Sequence, residues 1–181
     1  MGVFTLANAS DTFLLLRATQ TGVSAAYLPL LWALLHLVKS TLSTPLGALS
    51  DRLGRKRIIV AGWIVYAVVY GGFALADEWW QVVLLFVVYG AHFAMVEGAE
   101  KALVADLAPA DARGSAFGAF HFVQGVAAFP ASLGFGLLWD HLGHTAAFAT
   151  DAVLALVAAA GLLALLRVTP SRRPVAGAGG V

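Results

Sequence analysis

Gly47-Ala48-Leu49-Ser50-Asp51-Arg52-Leu53-Gly54-Arg55-Lys56-Arg57 sets Arg52, Arg55, Lys56 and Arg57 side by side between two long apolar stretches. Moving Lys and Arg across a bilayer is strongly unfavourable, so a short basic segment between hydrophobic spans stays on the side that is not translocated. The reading of this one segment orients everything on either side of it.

The rest of the composition agrees with a membrane setting. Hydrophobic residues make up 60% of the 181-residue chain and charged residues 12%, against about 25% charged in an average soluble domain. Mean hydropathy is +0.85. A span needs about 20 apolar residues, and the apolar runs predict six helices near 3–22, 25–49, 58–76, 79–106, 114–138 and 145–167. Lys101 and Arg113 flank the turn after the fourth run, and Arg167, Arg172 and Arg173 follow the sixth, whereas the alternate turns carry Asp77, Glu78, Asp140, His141 and His144. That bias predicts an even number of crossings of the plasma (inner) membrane with both termini cytoplasmic. Trp79, Trp80 and Trp139 fall at the opposite level, where indole rings anchor to headgroups. The start, without a basic region or cleavage site, reads as a working span rather than a signal peptide. The Gly-, Pro- and Arg-rich tail over 169–181 reads as a disordered cytoplasmic end.

Part of the basic segment recurs. Gly47-x-Leu49-x-Asp51-x-Leu53-Gly54 reappears as Gly136-x-Leu138-x-Asp140-x-Leu142-Gly143, 89 residues further on. Three crossings separate the two, so the first lies inside and the second outside, the arrangement of an inverted-topology repeat. The expected fold is therefore all-α and polytopic: six transmembrane helices in one bundle over 1–168, a 3+3 inverted repeat with one unit at about 3–76 and the other at about 79–167.

Gly47, Leu49, Asp51, Arg52, Gly54, Arg55 and Lys56 match the loop signature G-x-L-x-D-R-x-G-R-K/R, and in this the chain resembles the major facilitator superfamily. Pro109-x-x-x-Arg113-Gly114 is similar to a second marker found in the later half of that family. The resemblance covers residues 4–168 and implies a twelve-helix transporter of two six-helix bundles. This chain would supply one of them, the C-terminal bundle, with the second half in the same gene or another chain. It also implies a gating role for the loop, a conformational latch formed by Gly47, Asp51, Arg52, Gly54, Arg55 and Lys56 with Asp106 and Arg113. Asp106 is a partner for Arg52 or Arg55, and Asp51 can accept backbone N–H groups at a neighbouring helix start, expected to be that of the fifth span. The plain alternative is a solvated loop whose arginines only enforce topology.

Charges within spans cost about 2.5–3.5 kcal/mol on insertion scales and so need partners or water. Asp11, Arg17, Lys39, Glu97 and Glu100 are accordingly candidates for substrate binding or proton coupling, joined by His36, His121 and Gln124. Counting about 1.5 Å per residue puts Asp11, Lys39, Glu97 and His121 at similar depths, so one polar layer is expected across the bundle. Helical spacing groups His36, Lys39, Ser40 and Ser43 on one face and His121, Gln124 and Gly125 on another, both expected to line a cavity. Glu97 and Lys101, four apart, also suit a local ion pair, and Lys39 could snorkel along its own helix. The third and sixth runs, almost free of polar residues, read as lipid-facing support.

The leading expectation is a secondary active transporter of a small solute, working by alternating access in the lipid bilayer, with proton coupling open. It needs no cofactor, metal or nucleic acid. With no Cys, no HExxH and no GxSxG, the sequence offers no nucleophile or metal site for an enzyme. A non-transporting membrane remnant or interaction module is the competing reading.

Overall fold

The structure, a computed structural model, describes residues 4–5, 7 and 10–168, with side chains to residue 165. The expected tail over 169–181 lies outside the described residues. Among these, the chain is all-helical: α1 (Thr12–Gln20), α2 (Leu28–Leu53), α3 (Arg55–Leu75), α4 (Trp79–Leu107), α5 (Arg113–Leu142) and α6 (His144–Val168). Single 3-10 turns, Ala25–Tyr27 and Ala110–Ala112, lead into α2 and α5. Among the described residues five segments are long and apolar enough to span a membrane: Ala25–Leu53, Arg55–Leu75, Trp79–Leu107, Ala110–Leu142 and His144–Leu165.

The first expected span differs from the prediction. Instead of one helix over 3–22, the described residues give a nine-residue α1 that begins after Asp11, only about 14 Å at 1.5 Å per residue and short of a bilayer core. Ser10 and Asp11 interrupt it. The Ser10 amide donates to Ser132 Oγ at 3.1 Å, the Ser10 hydroxyl donates to Thr12 Oγ1 at 3.0 Å, and the Asp11 carboxylate is taken by α4. Such side-chain bonds compete with a continuous helical ladder.

The basic segment is not a loop either. α2 runs to Leu53 and α3 starts at Arg55, so Gly54 alone lies outside helix. Its φ of +96° is a conformation only glycine adopts without strain, and its amide closes α2 onto the Ser50 carbonyl at 2.9 Å. Gly143 does the same between α5 and α6, with φ +86° and its amide on the Trp139 carbonyl at 3.0 Å.

Packing centres on α3, which lies against α4 and α6, while α2 crosses α4 and α5 leans on α6 and α4. Trp63, Tyr66, Tyr70 and Phe73 project from α3 at three- and four-residue spacing and are all buried. Tyr70 and Phe73 meet Phe148 of α6, and Phe73 meets Phe86 of α4, with centroids 5.5–5.7 Å apart. α3 is therefore the enclosed centre of this chain rather than lipid-facing support, because its aromatic rings need partners on two neighbours. α6 keeps an open apolar face through Val153, Leu156 and Val157. Trp79 and Trp80 are exposed, whereas Trp139 packs on Phe13, Phe135 and Phe148.

The α2–α4 crossing depends on Gly90. A Cβ there would sit 2.7 Å from the Leu35 carbonyl oxygen and 2.9 Å from Val38 Cβ. Since backbone cannot yield as a side-chain tip can, Gly90→Ala is expected to cost about 1–3 kcal/mol and to lower the unfolding temperature in detergent. Gly71→Ala, which meets nothing within 4 Å, is the control and should leave that temperature unchanged or slightly raised.

Candidate functional site

The polar groups gather at the two ends of the bundle and at two levels between them. At the basic end Arg55, on the first turn of α3, forms an ion pair with Asp106 and donates to the Ala102 carbonyl, both near the end of α4, and lies 3.8 Å from Asp51. The C-terminal turns of a helix carry the negative end of its dipole, so a guanidinium is well matched there. Of the two expected arginines it is Arg55 that takes Asp106. Arg52 and Arg113 are exposed and Lys56 is half-buried, with no ion pair among the described residues. Asp51, 70% exposed at its side chain, faces Arg55 rather than the start of the fifth span. Gly47 borders open space.

Arg17 lies at the opposite end. Its side chain is buried, and it donates to the carbonyls of Phe73 (3.4 Å) and Ala76 at the end of α3, with Asp77 Oδ1 3.5 Å away. Each end of the bundle thus has an arginine on carbonyls at or near the end of a neighbouring helix, beside an aspartate.

Between them, α4 carries the remaining groups. Tyr89 donates to Asp11 Oδ1 at 2.6 Å, and Tyr66 donates to the Ala7 carbonyl at 2.6 Å. Two turns along α4, about 12 Å, Glu97 forms ion pairs with Lys39 of α2 and with Lys101, the latter at 2.8 Å. Glu97 therefore makes the expected local i,i+4 pair and, in addition, a contact between α2 and α4. Lys39 Nζ also stands 5.4 Å from the Phe93 ring centroid. The single expected layer is therefore two, Asp11 with Tyr89 and Lys39 with Glu97, because Asp11 precedes a helix that starts late.

A cavity of about 310 Å³ opens beside the second level, walled by Phe4, Thr5, His92, Phe93, Val96, Glu97, Glu100, Gln124 and Ala128. A smaller one of about 220 Å³, which includes Lys39, Ser43 and Gly47, adjoins Glu97 on the α2 side. Glu100 is 8% exposed, and no Lys or Arg of the described residues forms an ion pair with it. The Trp63 indole lies beside it, without hydrogen-bond geometry at Nε1. Of the two expected cavity faces, Gln124, Lys39 and Ser43 line these spaces. His36 and His121 are exposed, His36 edge-on to Trp32 and His121 tilted against Phe120.

A model of the family described as Major Facilitator Superfamily matches residues 1–180. The chain belongs to that superfamily. An uncharacterized MFS-type transporter of Methanocaldococcus jannaschii is 38% identical over 169 residues, 90% of this chain and 42% of the relative. The inner membrane transport protein YajR of Escherichia coli strain K12 is 30% identical over 151 residues, 83% of this chain and 32% of the relative. The chain thus spans less than half the length of these curated relatives, and as a member of the superfamily it is a multi-pass membrane protein.

Sequence reasoning overlooked several groups in this Major Facilitator Superfamily chain: Tyr89, Tyr66 and His92. His92 is buried, its Nδ1 2.7 Å from the Gly62 carbonyl and its ring stacked on Tyr89. Tyr89, His92, Val96 and Glu100 recur at three- and four-residue spacing, a helical stripe that leads from Asp11 to the cavity. That spacing was the available signal.

Proposed function

We propose that the chain is one six-helix half of a secondary active transporter, which moves a small solute across the plasma membrane by alternating access, with both termini cytoplasmic. The observation that carries this is the polar cavity between α4 and α5 within a chain of this family: polar groups inside a membrane bundle mark solute or ion pathways. Gly54 and Gly143, which occupy equivalent positions of the repeated motif and close their helices alike, support a 3+3 inverted repeat within residues 1–168. The Arg55, Asp51 and Asp106 cluster is the inner latch of that cycle, broken and remade as the halves rock. Asp11, Glu97 and Glu100 are the groups on which proton coupling would act, and Lys39 with Gln124 completes the site.

The test is uptake or efflux in vesicles from the full gene product, with and without a proton gradient. Lys39→Ala and Glu97→Gln are each expected to slow transport tenfold or more, about 1.4 kcal/mol in the barrier, and Asp11→Asn to weaken its response to the gradient. Normal transport by all three variants contradicts this assignment of the site.

A second reading, a non-transporting remnant or interaction module, draws support from α2 and α5. Phe122, Val126, Phe129 and Leu133 on α5 and Leu30 and Leu37 on α2 are exposed within this chain, and a facing bundle is what encloses a path. Co-purification of the chain with a second six-helix segment, either fused to it or separate, favours transport. Export of the chain alone to the membrane, with no such partner and no flux, favours the remnant.

A further inference from the structure

We propose that the cavity beside Glu100 binds a small organic ammonium ion, its charge against the Glu100 carboxylate and its apolar body against Phe4 and Phe93. This rests on the transporter reading only for what the binding accomplishes, not for the binding itself.

The charges around the cavity are of one sign. Its wall holds two carboxylates, Glu97 and Glu100, and no Lys or Arg. Glu97 is already engaged, since Lys39 and Lys101 occupy its two oxygens. Glu100 is more than nine-tenths buried and has no ion pair with a described Lys or Arg. A buried carboxylate is costly unless something compensates its charge, and here the open side of the group is a cavity large enough for a ligand. An anion would meet repulsion from Glu100, and a neutral solute would leave it uncompensated. A bound organic cation answers both, whereas a proton on Glu100 answers only the burial and leaves the space unfilled.

The apolar wall points the same way. Aromatic faces attract cations, and Phe93 already has the Lys39 ammonium 5.4 Å from its centroid. Phe4 stands with its ring stacked on Trp63 at 4.6 Å and 6.1 Å from the His92 ring. The His92 Nδ1 faces a carbonyl, so it is the nitrogen that carries the hydrogen, and Nε2 is left as an acceptor in the neutral ring. An ammonium N–H can donate to it, to the Gln124 amide oxygen or to Glu100. At about 310 Å³, the space is at the low end of small-molecule pockets, which suits a ligand the size of a benzylamine rather than a large polycyclic cation.

Benzylammonium, benzyl alcohol and benzoate share one ring and differ in charge, so they serve as the probes. Binding to the full gene product in lipid nanodiscs, measured by equilibrium dialysis of each radiolabelled probe, should favour benzylammonium at least tenfold over the other two. Glu100→Gln should remove that preference, and Gln124→Glu, which adds a carboxylate to the wall, should strengthen it. Both variants must keep the helical circular dichroism and single elution peak of the parent. Tighter binding of benzoate, or Glu100→Gln binding benzylammonium within twofold of the parent, overturns the proposal. Transport is read separately in proteoliposomes. Cation-selective binding that depends on Glu100 without flux supports the cavity and sinks the transporter reading. Flux of benzylammonium indifferent to Glu100 does the reverse.

Discussion

Replacing Arg17 by leucine should destabilise the bundle by about 2–4 kcal/mol, the largest stability loss of any single side chain described above. Hydrogen bonds to charged groups contribute about 1.5–3 kcal/mol, and an orphaned buried acceptor costs about 1–3 kcal/mol. Arg17 supplies donors to two carbonyls at the end of α3, Phe73 and Ala76, and only 5% of the residue reaches solvent. Leucine keeps most of the volume but leaves both acceptors unserved. Lysine should rescue only part of the loss, because one ammonium lacks the planar fork that reaches two carbonyls. Asp77→Asn should change little, since the Asp77 side chain is 89% exposed and its ion pair is 3.5 Å long. Thermal unfolding in detergent, followed by circular dichroism, measures all three. An Arg17→Leu protein as stable as the parent would mean that the α3 end is satisfied in another way.

Arg55→Gln should have the largest effect on transport, tenfold or more, with a smaller effect on stability. Arg55 joins the first turn of α3 to the last turns of α4 through Asp106 and the Ala102 carbonyl. It is only about three-quarters buried at its side chain, so water compensates much of what is lost on unfolding. In the proposed latch, glutamine would remove the charge that favours one arrangement of the two helices over the other, the preference that would set the populations of the two-state cycle. Asp106→Asn should act in the same direction, and the double variant should be no worse than Arg55→Gln alone, as expected of two groups in a single contact. Asp51→Asn should matter less, given its 3.8 Å separation and exposure. Additive losses in the double variant would show that Arg55 and Asp106 act apart.

Five of the six expected spans were legible because length and hydropathy decide what can cross a bilayer, and the hinge was legible because few residues but glycine turn as Gly54 does. Its compactness was not, since basic side chains read as loop although they extend from helix ends over Asp51, Arg52, Arg55 and Lys56. The break before α1 was hidden for a related reason: Ser10 and Asp11 barely lower the mean apolarity of residues 3–22, yet each offers bonds that a helix must compete with. For the candidate site, charge singled out Lys39, Glu97 and Glu100 as residues that need an answer inside a bundle. It could not say which answer. The Lys39 contact depends on the α2–α4 crossing at Gly90, a tertiary feature with no local signal. Tyr89 and His92 were missed because in an apolar run they look like core, and only the placement of Asp11 and the Gly62 carbonyl makes them polar partners. Arg17 looked like a midspan charge, but α1 is short and delivers it to the end of α3.

The central claim is that helix ends carrying the Arg55 cluster and those carrying Gly143 lie on opposite sides of a membrane. The chain has no cysteine, so single cysteines report position without background from it. In intact cells a membrane-impermeant maleimide should label Asp140→Cys directly and label Arg57→Cys only after permeabilisation. Labelling of both from the same side would contradict the account.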